Sequence, residues 1–330
     1  MSVRDGRANA PLPWDDAIAA IEGARSVALA CHLGPDGDAL GSMLALGLAL
    51  RARGTAVVAS WGSEPFEAPK QYAFMPGQDL LVPPQQFPAA PELMVTFDAG
   101  SLARLGTLEP NGRAARTLVV VDHHASNDQF GAINLVDPHA AASAVLVYEL
   151  LKKMNVALDA DVATCLYTGL VTDTGRFQYS NTTPEVHAMA ADLIAAGAPH
   201  SMITDVVYNT HPVGYLKLAS RALERLAVRD GMVWTWVTQA DLDENAVAME
   251  DIEALIDLVR TADGADVAAV LKQQDDGRYR VSMRSRGKTN VGAVCESFGG
   301  GGHALAAGFT SENGDPQATI DAIAGALRAR

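Results

Sequence analysis

Three short apolar runs in this chain of 330 residues each end in a carboxylate or an imidazole. Ser26 to Cys31 leads into His32-Leu33-Gly34-Pro35-Asp36-Gly37-Asp38, Leu93 to Phe97 into Asp98-Ala99-Gly100, and Thr117 to Val121 into Asp122-His123-His124. Runs of this length, separated by Ala/Leu-rich stretches with helical spacing, read as strands of α/β units around a parallel sheet. Such sheets build their sites at the carboxyl ends of the strands, so all three runs deliver Asp or His to one edge. A single Asp after a strand is often only a turn former, and the Asp36 segment also reads as an Asx turn capping the next helix. Capping does not account for three strands that end alike.

The expected elements follow from the same patterning. Strands are predicted at Ser26 to Cys31, Ala56 to Ser60, Leu93 to Phe97 and Thr117 to Val121, and helices at Ala39 to Arg53, Ala142 to Met154, Ala160 to Val171 and Pro184 to Ala196. A helical run from Pro212 to Leu226 is followed by strands Met232 to Val237, Val267 to Gln273 and Tyr279 to Ser285, with helices Glu250 to Thr261 and Pro316 to Arg328. The reading is therefore α/β throughout: a parallel-sheet domain over 1–200, a helical linker over 201–228 and a smaller α/β domain over 229–330, with the site in the cleft between domains.

Charge narrows the partners. Twenty-five Lys and Arg against thirty-nine Asp and Glu leave a net −14, a field that disfavours long duplexes held by many phosphate contacts. Cys31, Cys165 and Cys295 are widely spaced, which argues against a disulfide framework and for a reducing compartment. Met1 to Trp14 lacks the apolar core of a signal peptide, and the longest apolar run, Ala39 to Leu50, falls short of the roughly 20 residues a bilayer needs. No membrane and a cytoplasmic location are expected.

The strand-end segments mix hard carboxylate oxygens with imidazoles, a set suited to divalent Mn or Mg rather than to a thiolate zinc site. Asp173, in Thr168-Gly169-Leu170-Val171-Thr172-Asp173-Thr174-Gly175-Arg176-Phe177, adds a fourth position. Adjacent enclosed carboxylates repel unless cations neutralise them, and a pair of metals sharing one bridging Asp meets that need. His139, His187, His200 and His211 lie outside these motifs and read as surface or packing residues, and Cys31 as a small core residue.

The order H-x-x-P-D-x-D, a strand-end Asp, Asp-His-His and T-D-T-G resembles the DHH phosphoesterase superfamily. The later part, through Val281-Ser282-Met283-Arg284-Ser285-Arg286 and Phe298-Gly299-Gly300-Gly301-Gly302-His303, looks like its DHH-associated domain. Within the superfamily, the length, the Phe177-Gln178-Tyr179-Ser180-Asn181-Thr182 continuation and the glycine-rich histidine motif most resemble the stand-alone NrnA-type group. Those are oligoribonucleases (nanoRNases) that are also 3′-phosphoadenosine 5′-phosphate (pAp) phosphatases. The sequence departs from many relatives at Gly34, where they carry Asn.

The resemblance implies one metal on His32, Asp36 and Asp98 and a second on Asp38, Asp98, His123 and Asp173, with Asp98 bridging. Manganese is the first expectation, with magnesium or cobalt as substitutes. Asp122 would orient the neighbouring histidines, and His124 would contact the scissile phosphate and help protonate the leaving oxygen. Arg284, Ser285 and Arg286, the backbone of Gly300, Gly301 and Gly302, and His303 would bind substrate, and Arg176 could reach a phosphate. The implied enzyme is a two-metal phosphoesterase that cuts short RNA oligonucleotides to mononucleotides and pAp to AMP, as a homodimer working from the 5′ end. The alternatives are a cyclic di-AMP or pApA phosphodiesterase, a RecJ-like single-strand exonuclease, and a nucleotide sensor without chemistry; the presence of all six ligand positions and His124 argues against the last.

Overall fold

The computed structural model describes residues 11–312 and 314–329, which fall into two compact units dividing between Asn209 and Thr210. Met1 to Ala10, part of the stretch from which the absence of a signal peptide is expected, lie outside the described residues.

The first unit begins with α1 (Trp14–Gly23) and continues through β1 (Ser26–Cys31), α2 (Gly37–Ala52), β2 (Ala56–Trp61), β3 (Leu93–Phe97), α3 (Glu109–Ala114), β4 (Thr117–Asp122), β5 (Ile133–Val136), α4 (Ser143–Lys153), α5 (Ala160–Asp173), α6 (Pro184–Ala195) and α7 (His200–Thr204). The five strands are all parallel in the order β2-β1-β3-β4-β5. Chain direction across the sheet reverses between β1 and β3, the switch point where open α/β sheets hold ligands. Register then sets the site. Cys31 pairs with Phe97 and Phe97 with Val121, so the next residues on three adjacent strands, His32, Asp98 and Asp122, emerge level at one edge.

Those strands are apolar because both faces are covered: every residue of β3 is buried, as are five of the six in β1. Helix α2 is buried from Gly37 to Leu50 and crosses α5 closely. Glycine permits the approach, since a Cβ on Gly41 would lie 2.3 Å from the Cys165 carbonyl oxygen. The crossing brings Asp38, at the start of α2, beside Asp173, at the end of α5.

The second unit comprises α8 (Val213–Glu224), β6 (Ala227–Arg229), β7 (Met232–Val237), α9 (Gln239–Asn245), α10 (Leu255–Val259), β8 (Val267–Gln273), β9 (Tyr279–Ser285), α11 (Val291–Glu296), β10 (Gly301–His303), β11 (Ala306–Thr310) and α12 (Pro316–Arg328). Its six-stranded sheet runs β10-β11-β9-β8-β7-β6, antiparallel except for the β7–β8 pair. One core packs α11 and α12 on one face, and another packs α8 and α10 on the other. The predicted helix Glu250 to Thr261 is instead a 3₁₀ turn, Met249–Ile252, followed by the short α10. Among the described residues no helix is long and apolar enough to cross a membrane.

Candidate metal centre

Asp36 serves two ends at once. Its Oδ1 accepts from the N–H groups of Asp38 (3.1 Å) and Ala39 (3.0 Å) and so caps α2, while Oδ2 faces His32 Nε2 at 3.8 Å. Helix capping and ligand placement are thus properties of one carboxylate. His32 Nδ1 lies 2.8 Å from the Leu33 carbonyl, to which it donates, turning Nε2 inward.

Asp98 lies between two histidines. Its Oδ2 is 3.3 Å from His32 Nε2 and its Oδ1 is 3.4 Å from His123 Nε2, with Ser143 Oγ donating to Oδ1 at 3.1 Å. The residue is buried and takes φ of 54°, a left-handed conformation that non-glycine residues adopt at a cost. The backbone turns there because Asp98 N–H still donates to Val121 O at 3.0 Å while the carboxylate leaves the sheet edge. His123 Nε2 also faces Asp173 Oδ2 at 3.2 Å, and its Nδ1 lies 3.3 Å from Ala140 O.

Asp38 is completely buried. Its Oδ2 accepts from Ser143 N–H at 2.6 Å, and its Oδ1 from Ala144 N–H at 2.9 Å and Ser42 Oγ at 3.2 Å. The first amides of α4 thereby hold a carboxylate from the start of α2. Asp122, also fully buried, accepts His124 Nδ1 on Oδ1 (2.7 Å) and Asn127 Nδ2 on Oδ2 (2.6 Å).

Within the first unit, three groupings therefore have ligand atoms within 4.8 Å of one another: His32, Asp36 and Asp98; Asp38, His123 and Asp173; and Asp98, Asp122 and His124. Their electrostatics are those of a carboxylate nest held together by protons. Burial alone would raise Asp98, but hydrogen bonds from His123 and His32 keep its carboxyl well below the usual range. Burial opposes charge on the two rings, yet Asp36 and Asp98 push His32 up to about 11, and Asp173 and Asp98 push His123 up to about 12. Asp38 is driven well above its ordinary value by burial and by the charges of Asp173 and Asp98. Burial raises Asp173 to about 6, against the His123 hydrogen bond. His124 is raised too: burial works against its charged form, but Asp122 and then Asp98 outweigh it. The donor set of carboxylate oxygens and imidazole Nε2 atoms fits hard divalent cations. Among the described residues all three cysteines are buried, and none belongs to these groupings.

The remaining predicted residues are placed differently. Arg176 lies in a turn where Gly175, Arg176 and Phe177 all have positive φ, and its guanidinium stacks 4.7 Å from the Tyr208 ring centroid. In the second unit Arg284 and Ser285 point to opposite faces of β9. Arg284 is half-buried on one face, whereas the buried Ser285 accepts the N–H groups of Gly287 (3.0 Å) and Thr289 (3.3 Å) and shapes a turn. Arg286 donates through Nε and Nη2 to the Arg260 carbonyl (3.2 and 2.8 Å), closing the segment after α10. Arg284 Nη1 in turn donates to the Met283 carbonyl at 3.1 Å, so the side chains of Arg284, Ser285 and Arg286, all expected as substrate contacts, have partners within the second unit. The Gly300–Gly302 segment is mostly an edge strand rather than an open loop. A Cβ on Gly300 would meet Gly308 O at 2.2 Å, and one on Gly302 would meet Ala306 O at 2.6 Å, while nothing lies within 4 Å of one on Gly301. His303 is exposed at the end of β10.

Sequence reasoning missed Ser42, Asn127, Ser143 and Ala144. Asn127 follows Asp122-His123-His124 closely enough to have been suspected. Ser143 lies 105 residues from the Asp38 carboxylate it holds, beyond any local pattern.

Comparison with known proteins fits this arrangement. Residues 26–170 match the DHH family, N-terminal domain, and residues 233–329 match the DHHA1 domain. The chain is 33% identical, over 98% of its length and 97% of the relative's, to the bifunctional oligoribonuclease and PAP phosphatase NrnA of Thermus thermophilus. Its fold is similar to that of an exopolyphosphatase-related protein from Bacteroides fragilis, with a TM-score of 0.88, 23% identity and 96% of this chain and 95% of that one covered. It is also similar to that of RecJ from Thermus thermophilus in complex with Mn2+, with a TM-score of 0.56, 14% identity and 97% of this chain but 55% of that one covered. With a strand-end histidine and carboxylates meeting around Asp98, and with both domains matched in order, the chain belongs to the DHH family of phosphoesterases, carrying a DHH domain followed by a DHHA1 domain.

Proposed function

We propose that this chain is a two-metal phosphoesterase that degrades short RNA oligonucleotides to mononucleotides and removes the 3′-phosphate of pAp. The observation that carries the reading is the division of Asp98, one oxygen facing His32 and the other His123. His32, Asp36 and Asp98 would hold one ion, and Asp38, Asp98, His123 and Asp173 the other. Manganese is the ion we favour, in keeping with the hard donor set and with the manganese in the RecJ relative. A bound pair of divalent ions supplies a nucleophile at neutral pH and neutralises charge on the phosphoryl oxygens.

The chain's own residues do the rest. Asp122 fixes Nδ1 of His124, so the proton that His124 gives to the leaving oxygen sits on Nε2, and the Asp122 and Asp98 charges, against the effect of burial, favour the protonated ring. Arg284 and His303 recognise the nucleotide, with Arg176 as a further phosphate contact. The substrate reading is supported by the Thermus relative, which is named an oligoribonuclease and PAP phosphatase and matches over nearly the full length of both chains.

The test is a comparison of kcat/KM for the manganese-loaded protein on pAp, on a 5′-labelled RNA series from dimer to 20-mer, and on cyclic di-AMP. The expected order places the shortest RNAs and pAp well above the others. A preference for cyclic di-AMP, or rates that climb with RNA length, would replace this reading with a cyclic-dinucleotide phosphodiesterase or a processive exonuclease.

A further inference from the structure

The segment Phe177 to Thr182 contains a side chain that the proposed reaction does not use. Asn181, between α5 and α6, donates through Nδ2 to two main-chain carbonyls, Asp173 O at 3.1 Å and Ala141 O at 3.0 Å. Because both partners are acceptors, only the amide nitrogen can face them, and Oδ1 points away. That oxygen is buried without a protein partner, as is the neighbouring Thr182 Oγ1. An acceptor left in this state costs about 1–3 kcal/mol unless water reaches it, so nothing on the oxygen side of the amide explains its orientation. The two carbonyl contacts do.

Each contact leads to a metal-centre carboxylate. Asp173 is itself one of these groups. Ala141 lies two residues before Ser143, and the Ser143 and Ala144 amides hold Asp38 at 2.6 and 2.9 Å. Asn181 therefore ties the end of α5 to the segment entering α4, and with them the two carboxylates that belong to one ion alone. The other ion's own residues are fixed elsewhere: His32 by the Leu33 carbonyl and Asp36 by the first amides of α2.

We infer that Asn181 is a positioning residue for a single metal site, the one formed by Asp38, Asp98, His123 and Asp173, and that it sets that site's affinity independently of the other. The inference rests on the two-metal reading. Groups that orient ligands typically change metal affinity about 10–100-fold when removed.

The experiment is a manganese titration of the full chain, reading free Mn2+ by electron paramagnetic resonance, for the wild type, N181D and N181A. Aspartate keeps the shape but sets oxygen against two carbonyl oxygens, and alanine removes the donor. The expected result is two sites in the wild type, with one weakened about 10–100-fold in N181D and, more mildly, in N181A, and the other unchanged. Raising manganese should then restore kcat with KM for pAp unaltered. Equal weakening of both sites, or wild-type affinities accompanied only by a lower melting temperature, would show a merely structural role and overturn the inference. Should N181D fail to fold, N181A decides on the same criteria. A wild type that saturates with one ion overturns the two-metal reading and this inference with it, whereas two intact sites in the variants overturn the inference alone.

Discussion

His124 Nδ1 meets Asp122 Oδ1 at 2.7 Å, and the other Asp122 oxygen is held by Asn127, so a fully buried carboxylate fixes the orientation of a half-exposed ring. Asp122 also raises the His124 pKa, against the effect of burial. D122N is expected to lower kcat by about 10²-fold, the range for a misaligned general acid. The pH profile should move as well. A general acid must be protonated, and loss of the Asp122 charge lowers the His124 pKa, so the alkaline limb should shift to lower pH. Measuring kcat against pH at saturating manganese checks this, and an alkaline limb that stays in place would exclude His124 as the acid.

Asp98 is the one carboxylate shared between the two histidine groups, in a left-handed conformation held by its own N–H bond to Val121 and by Ser143. D98A is expected to reduce turnover by at least about 10³-fold, at the upper end of the losses seen on removing one charge-stabilising group. Manganese stoichiometry measured on the purified variant should fall below two. Full activity with added manganese would refute the bridging role.

Much of this centre was legible because it follows the strand pattern. β1 and β3 have their expected bounds and β4 gains only Asp122, so the residues that follow them were placed at a common edge before any register was known. The strand β5 escaped notice because Ile133-Asn134-Leu135-Val136 is short and interrupted by an Asn whose side chain bonds back to Gly131. α1 starts without a side-chain cap, which removes the usual signal. β10 and β11, Gly301–His303 and Ala306–Thr310, carry glycine and alanine where strand-forming residues would announce a sheet. Their glycines read as a ligand cradle, whereas two of them are required by the close approach of β11. Ser285 stands next to Arg284 in sequence, but alternation along β9 puts the two on opposite faces, and Arg286 lies beyond the strand, bonded to the Arg260 carbonyl. What pattern could not reach are contacts between distant segments, such as the α4 amides on Asp38.

Metal uptake should expel protons. With His32 raised to about 11 and His123 to about 12, both rings are protonated in the metal-free protein at neutral pH, and each must lose the Nε2 proton to bind an ion. At least about two protons released on filling both sites is the expectation, one from each ring with Asp38 able to add to the count, from titration calorimetry in buffers of different ionisation enthalpy. Apparent manganese affinity should climb steadily as pH rises towards about 11, because both rings compete as protonated groups below that value. The sign for the metal-free fold is opposite. Raised histidines stabilise it at low pH, and that contribution disappears as pH rises through the folded-state values. Binding without proton release would mean that these two rings are not ligands.

His303 stands exposed at the end of β10, two residues after Gly301, where a Cβ would meet nothing within 4 Å. If it reads the nucleotide, H303A should raise KM for pAp and short RNA by about tenfold or more, the scale of one lost base-stacking contact, and leave an aryl phosphodiester nearly untouched. Equal losses on both kinds of substrate would remove His303 from substrate recognition.

Gly169 supplies the strictest steric test of the centre. It lies on α5 where that helix crosses α2, and a Cβ there would sit 2.8 Å from Asp38 Oδ1, 2.9 Å from Ala144 Cβ and 3.2 Å from Asp38 Cα. None of these atoms can yield alone. The Asp38 carboxylate is pinned by Ser143, Ala144 and Ser42, its Cα belongs to α2, and Ala144 belongs to α4. G169A must therefore spread three helices by several tenths of an ångström, an overpacking cost of about 1–3 kcal/mol. Because the displaced group is the Asp38 carboxylate, the variant should also weaken manganese binding at the site that Asp38 shares with Asp173. Melting of the metal-free variant and its manganese isotherm measure the two effects separately. A variant as stable as wild type with unchanged isotherms would mean that α2 and α5 are not as close in solution as the Gly169 contacts require.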